Sequence, residues 1–139
     1  MQISISNSIG GGGGNLGSGG GIDSDAQAFI TAASITDATQ QSAINTLVTD
    51  LKGYEIWSKI KAIYPFVGGT ASSHKYNLKD PQDTDAAFRL VFNGGWTHSA
   101  TGALPNGTNG WADTFVKTDP NLSLNSTHVS VYLRTDTAA

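Results

Sequence analysis

The residues of this chain with acid–base or metal-binding chemistry are few: three histidines, a single glutamate, Glu55, and a scatter of aspartates. His74, His98 and His128 lie far apart, and no two stand at the i, i+4 spacing that turns two imidazoles toward one metal ion. They read as ordinary polar or half-buried side chains. Hydrolysis of a glycoside needs two carboxyl groups at a set separation across a cleft. Asp83 and Asp85 are two apart, but they stand just before Ala86 and Ala87, where carboxylates cap a helical turn. Asp80 precedes Pro81 in a turn, and the spacing of a calcium-binding loop is missing. No Gly-x-Ser-x-Gly elbow supports a serine nucleophile. Cysteine is absent, which excludes disulfides and thiolate metal sites and fits assembly in a reducing compartment. We therefore assign no catalytic residue, cofactor or metal site, and the chain reads as non-enzymatic. A depolymerase working through Asp83 or Asp113 is disfavoured by the lone glutamate and the lack of a paired carboxylate motif.

The aromatic residues offer a different chemistry. Trp96 and Trp111 both lie beside glycine-rich turns, with Asn93, Asn106, Asn109 and Asp113 near them in sequence. A flat indole flanked by amides and a carboxylate can grip a sugar by stacking and hydrogen bonding. The same indoles can instead fill a sheet core, each with its N–H paired. The core reading is favoured, because large aromatics dominate cores. The candidate glycan contacts are Trp96, Asn106, Trp111 and Asp113.

Elements that would position these residues divide the chain into helices first and strands afterwards. Asp23, Ser24 and Asp25 are capping residues, followed by Ala26, Phe29, Ile30 and Ala33 at helical spacing. A second start falls at Thr36 and Asp37, and Ile44, Leu47, Val48 and Leu51 form an i, i+3, i+4, i+7 stripe that Gly53 is expected to stop. After a helical turn over 55–58 the period changes. Extended segments are expected over 59–67, 74–78, 88–92 and 111–116. Residues 97–110 read as turn throughout. The clearest strand signal is the alternation of Val129, Val131 and Leu133 with Ser130, Tyr132 and Arg134. The expected fold class is α+β, a helical hairpin packed on an antiparallel sheet.

Residues 1–9 carry Ile3, Ile5 and Ile9 on one parity with serines on the other, the pattern of a half-buried strand. Residues 10–21 are mostly glycine. A phosphate-binding loop is excluded there because no Lys-Ser or Lys-Thr follows. A chain of this composition spans on the order of 20 Å, enough to cross a subunit boundary. We read an N-terminal strand over 1–9 that anchors to a neighbouring sheet edge through Ile3, Ile5 and Ile9, a flexible linker over 10–21 and a display domain over 22–139. The net charge of −3 leaves no electrostatic footprint for nucleic acid, and no stretch is apolar enough for membrane insertion.

The blocks AIYPFVGGTASSHK, NLKDP and GGWTHSATGALPNGTNG, within 25–114, and LNSTHVSVYLRT, over 124–135, resemble a module of bacteriophage virion structural proteins of the tail and head-appendage type. In that family the module commonly follows a variable or glycine-rich start. It often continues into a second half similar to concanavalin-like or LamG-like sandwiches. The resemblance implies a virion protein assembled in the host cytoplasm, whose partners are other capsid or tail subunits and further copies of itself. A host surface glycan is the alternative ligand. The second half does not follow Arg134 here, so an incomplete jelly-roll-like sandwich is expected, its sheet completed by another chain or by a continuation of this one.

Overall fold

Asp23 starts the first helix by accepting a hydrogen bond from the Asp25 amide at 2.9 Å, and α1 runs Ser24–Ala32. A computed structural model describes residues 20–123 and 125–134; the strand expected over 1–9, with Ile3, Ile5 and Ile9, and nearly all of the expected linker lie outside them. Ser34 turns the chain with a φ of 53°, and Asp37 then caps α2 (Ala38–Gly53) by accepting from the Gln40 amide at 2.8 Å. The stripe expected on α2 is the one buried. Ile44 and Val48 are buried, with Leu47 and Leu51 packed beside them, against Ala26, Phe29 and Ile30 of α1. Gly53 still belongs to the helix, and the stop comes one residue later at Tyr54, after which Glu55 adopts a φ of 59°.

Lys52, in the last turn of α2, reaches back to the start of α1. Its ammonium lies 2.7 Å from Asp23 and 2.6 Å from Asp25. The bond from Lys52 is the main reason the Asp23 carboxyl is held below its usual range.

The helical hairpin is closed by the irregular segment that follows it. Trp57, in a 3-10 turn over Trp57–Lys59, and Leu78 complete the buried cluster, with Ile60, Ile63, Val67 and Tyr76 packed against it. Lys79 places its ammonium 4.4 Å from the centre of the Trp57 ring. The strand expected over 59–67 is not formed: beyond the opening 3-10 turn the stretch belongs to no sheet, and Phe66 within it is left-handed at a φ of 53°. Its backbone is instead received by Asn77, which is fully buried. The Asn77 Oδ1 accepts from the Ile63 amide at 2.9 Å and the Lys79 amide at 3.1 Å, and its Nδ2 donates to the carbonyls of Lys61 at 3.2 Å and Ala87 at 3.0 Å. One asparagine thus ties three stretches of chain, each with backbone groups that no helix or strand would satisfy.

The strand expected over 74–78 is not formed. Thr70 caps a short helix, α3 (Ala71–His74), through a reciprocal pair of bonds with Ser73, and Gly68 and Gly69, both at positive φ, aim the chain into it. The strand expected over 88–92 starts late. A 3-10 turn over Asp85–Ala87 leaves Phe88 left-handed, and β1 covers Val91–Asn93. Residues 97–110, expected as turn, hold most of a β-hairpin: β2 (Trp96–Ser99) pairs antiparallel with β3 (Gly102–Pro105), with Trp96 opposite Pro105 and Ser99 opposite Gly102. β4 (Trp111–Asp113) pairs antiparallel with β1, with Asn93 opposite Trp111. The clearest strand signal also fails to become a strand: residues 127–134 carry no regular structure, and Val129 is 79% exposed. A strand requires an edge to pair with, and among the described residues none pairs with this segment. The architecture is α+β, with a helical hairpin and two small two-stranded antiparallel sheets. No helix among the described residues is long and apolar enough to cross a membrane.

Candidate functional site

Strand parity in β2 sends Trp96 and His98 to one side and Thr97 and Ser99 outward. On the inner side they meet Phe92 of β1, whose ring centre lies 5.2 Å from Trp96 and 4.7 Å from His98. Trp96 and His98 stack at 6.2 Å with 26° between their planes. Phe66 closes the group from the other side, 6.5 Å from Phe92 and 5.5 Å from His74 of α3. At the centre, the Nδ1 atoms of His74 and His98 are 2.9 Å apart.

His74 is 1% exposed, and its Nε2 is buried with no hydrogen-bond partner among the described residues. Burial first, and the neighbouring His98 second, push the His74 imidazole from 6.5 down to about 4; burial also lowers His98. Both rings are therefore neutral at pH 7. A contact of 2.9 Å then requires one Nδ1 to carry a hydrogen and the other to accept it.

The outer edge of this aromatic group holds the expected glycan contacts, and the structure gives them unequal parts. The Trp96 Nε1 donates to the carbonyls of Asn93 at 3.0 Å and Trp111 at 3.3 Å, so its polar edge is used within the fold. Asn106 is the centre of its loop. Its Oδ1 accepts from the amides of Thr108, Asn109 and Gly110, each at 3.1 Å, and its Nδ2 donates to Asn109 Oδ1 at 2.8 Å. Asn109 Oδ1 also accepts from the Gly95 amide at 3.1 Å, joining this loop to the turn before β2. The loops meet so closely that a Cβ at Gly94 would lie 2.0 Å from the Asn109 carbonyl oxygen. Asp113 accepts from the Phe115 amide at 2.8 Å, a local turn bond. Trp111 alone of the four presents a large apolar face, 57% exposed. Such a face suits stacking on a ligand ring or on a partner's side chain.

The remaining candidates do not converge. Asp83 pairs with Lys75 at 2.5 Å and Arg89 at 2.9 Å, and Asp85 pairs with Arg89 at 2.9 Å. Lys75, then Arg89, holds the Asp83 carboxyl below its usual range. These carboxylates are bound to cations rather than set across a cleft, and Thr84 caps the turn expected of them. His128 is exposed in the 127–134 segment. Among the described residues no group of three or more His, Asp or Glu side chains is placed to hold a metal ion. Shallow concavities lie elsewhere, on the outer faces of α1 and α2, lined largely by small side chains such as Ala28, Ala32, Ala43 and Ser42.

No protein-family model, curated protein or solved structure matches the chain. The histidine pair escaped sequence reasoning because its members are 24 residues apart, one on a helix read as a strand and one on a strand read as a turn. The signal within reach was the i, i+2 spacing of Trp96 and His98.

Proposed function

We propose that the chain is a non-enzymatic structural component of a bacteriophage particle, anchored to capsid or tail by residues 1–9 and displaying its α+β domain outward. The reading rests on the resemblance of the blocks within 25–135. It is supported by one structural observation: Val129, Val131, Tyr132 and Leu133 stand mostly exposed on a segment whose alternation is that of a strand. Isolated two-stranded sheets are marginal, and unpaired alternating segments invite pairing with another chain. In an assembled particle, other virion proteins or further copies would supply the missing edges, and the small sheets would grow into a jelly-roll-like sandwich. The test is removal of residues 1–9. The truncated protein is expected to fold as the full chain does and to be missing from purified particles by mass spectrometry; normal incorporation refutes the anchor.

A host-attachment role is favoured by a separate observation, the exposed face of Trp111 beside the asparagine loop. A glycan array with wild type and Trp111→Ala tests it. Binding lost in the variant supports the role, and no binding, or equal binding by both proteins, removes it.

A further inference from the structure

We propose that His74 and His98 form an acid-released latch that fastens the β2–β3 hairpin to α3. The latch follows from the positions of four ring nitrogens. At neutral pH one hydrogen bridges the two Nδ1 atoms 2.9 Å apart. A buried N–H without an acceptor is rarer than a buried lone pair without a donor. The unpartnered Nε2 of His74 is therefore the bare nitrogen. This assigns the bridging hydrogen to His74 Nδ1, donated to His98 Nδ1, and leaves His98 with its hydrogen on Nε2.

A further proton then has two places to go. On His74 Nε2 it creates a cation in a site walled by Phe66 and adjoining the edge-to-face Phe92–Trp96 pair. On His98 Nδ1 it sets one N–H against another and cuts the bridge. The first keeps the bridge but buries a cation, and the second breaks the bridge; opening to water relieves both. Among the described residues no carboxylate is bonded to either ring to balance the new charge. The aromatic rings of Phe66, β1 and β2 face the pair, and the charged neighbours are already engaged. Lys75, next to His74, is bound to Asp83, and Arg89 is bound to Asp83 and Asp85. Tyr64 donates its hydroxyl to the Phe88 carbonyl at 2.5 Å. The hairpin released by the pair carries Trp96, stacked on His98 and bonded through its Nε1 to the Trp111 carbonyl, so acid acts on the group next to Trp111.

His74 binds its proton more weakly when the latch is closed than in an open chain. Closure is therefore fully favoured above about pH 6.5 and weakens as pH falls toward about 4. Between about pH 7.5 and 4.5 the open population rises by roughly 70-fold, toward the limit of about 300-fold set by an imidazole moved from 6.5 to about 4. The experiment is amide hydrogen exchange of the full chain from pH 7.5 to 4.5, read as protection factors, with imidazole NMR of both rings. Protection in β2 and β3 is expected to fall with acid while α2 stays protected, and His74→Phe is expected to abolish that difference. If His74→Phe does not fold, His98→Gln, which keeps a hydrogen-bonding partner and cannot take the proton, is expected to shrink the acid response. Hairpin protection that falls equally in wild type and the variants, or imidazoles that titrate near 6.5 with the hairpin undisturbed, overturns the latch.

Discussion

Replacing Asn77 with alanine should remove the tie that closes the core. The side chain makes four hydrogen bonds to backbone groups of Ile63, Lys79, Lys61 and Ala87, and only the bond to Ala87 is wholly buried. Water can replace the others in part, so each contributes nearer about 0.5–1 kcal/mol, while the stranded Ala87 carbonyl costs about 1–3 kcal/mol. The sum is roughly 2.5–6 kcal/mol, a large part of the ~5–15 kcal/mol by which a domain of this size is stable. It corresponds to a Tm lower by roughly 10 °C or more. Asn77→Asp separates geometry from chemistry. It keeps the shape and the two accepted bonds, but turns a carboxylate oxygen toward the Lys61 and Ala87 carbonyls. Those carbonyls disfavour the ionised form, so the folded chain holds the proton more tightly than the unfolded one. The variant should accordingly approach wild type below about pH 4 and fall furthest behind as pH rises to 7. Urea unfolding by far-UV circular dichroism at pH 4 and pH 7 measures both. A loss under about 1 kcal/mol for Asn77→Ala, or an Asn77→Asp deficit unchanged by pH, would refute the reasoning.

Two further outcomes follow from the geometry. Asp23→Ala removes a helix cap together with the partner of Lys52, and should cost about 1–2 kcal/mol at pH 7. Because the Asp23 carboxyl is lowered in the fold, its ionic contribution is present above the ordinary carboxylate range and is lost as pH falls through the folded value; thermal melts at pH 7 and pH 3 should show the deficit shrinking in acid. Gly94→Ala places a Cβ 2.0 Å from the Asn109 carbonyl oxygen at a φ of 73°, which forces the two loops apart and should destabilise by at least about 2 kcal/mol. Gly53→Ala, where nothing lies within 4 Å, is the control and should be neutral or better by thermal melting.

What was legible in the sequence was local. Asp23 and Asp37 announce α1 and α2, and the Ile44–Leu47–Val48–Leu51 stripe identifies the buried face, because caps and helical periodicity act within a few residues. The short α3 was hidden: four residues are too few for a period, and its start depends on Thr70 and Ser73 bonding each other. The β2–β3 hairpin was hidden because Trp96, Thr97, His98 and Ser99 alternate in burial but hardly in hydrophobicity, and because glycine and asparagine on both sides dominate the region. Residues 127–134 erred in the opposite direction: their pattern states what they would do at a sheet edge, and pairing is a property of two strands. In the candidate site, the closeness of both indoles to asparagine-rich turns was readable, but Trp111, expected in a core, is exposed. Whether Asn106 faces a ligand or its own loop depended on hydrogen bonds to residues yet to be placed. The histidine pair and Asn77 were beyond reach, since each joins segments brought together only by the finished fold.

Asp23 has a mechanical consequence. Its backbone amide donates to Asn45 Oδ1 at 2.8 Å, and its carboxylate grips Lys52 at the far end of α2. Any tension arriving along the chain from before Gly20 enters the domain at this residue, and two bonds hand the load to α2 before α1 bears it. A pull from that side must break both attachments before the first helix can peel away.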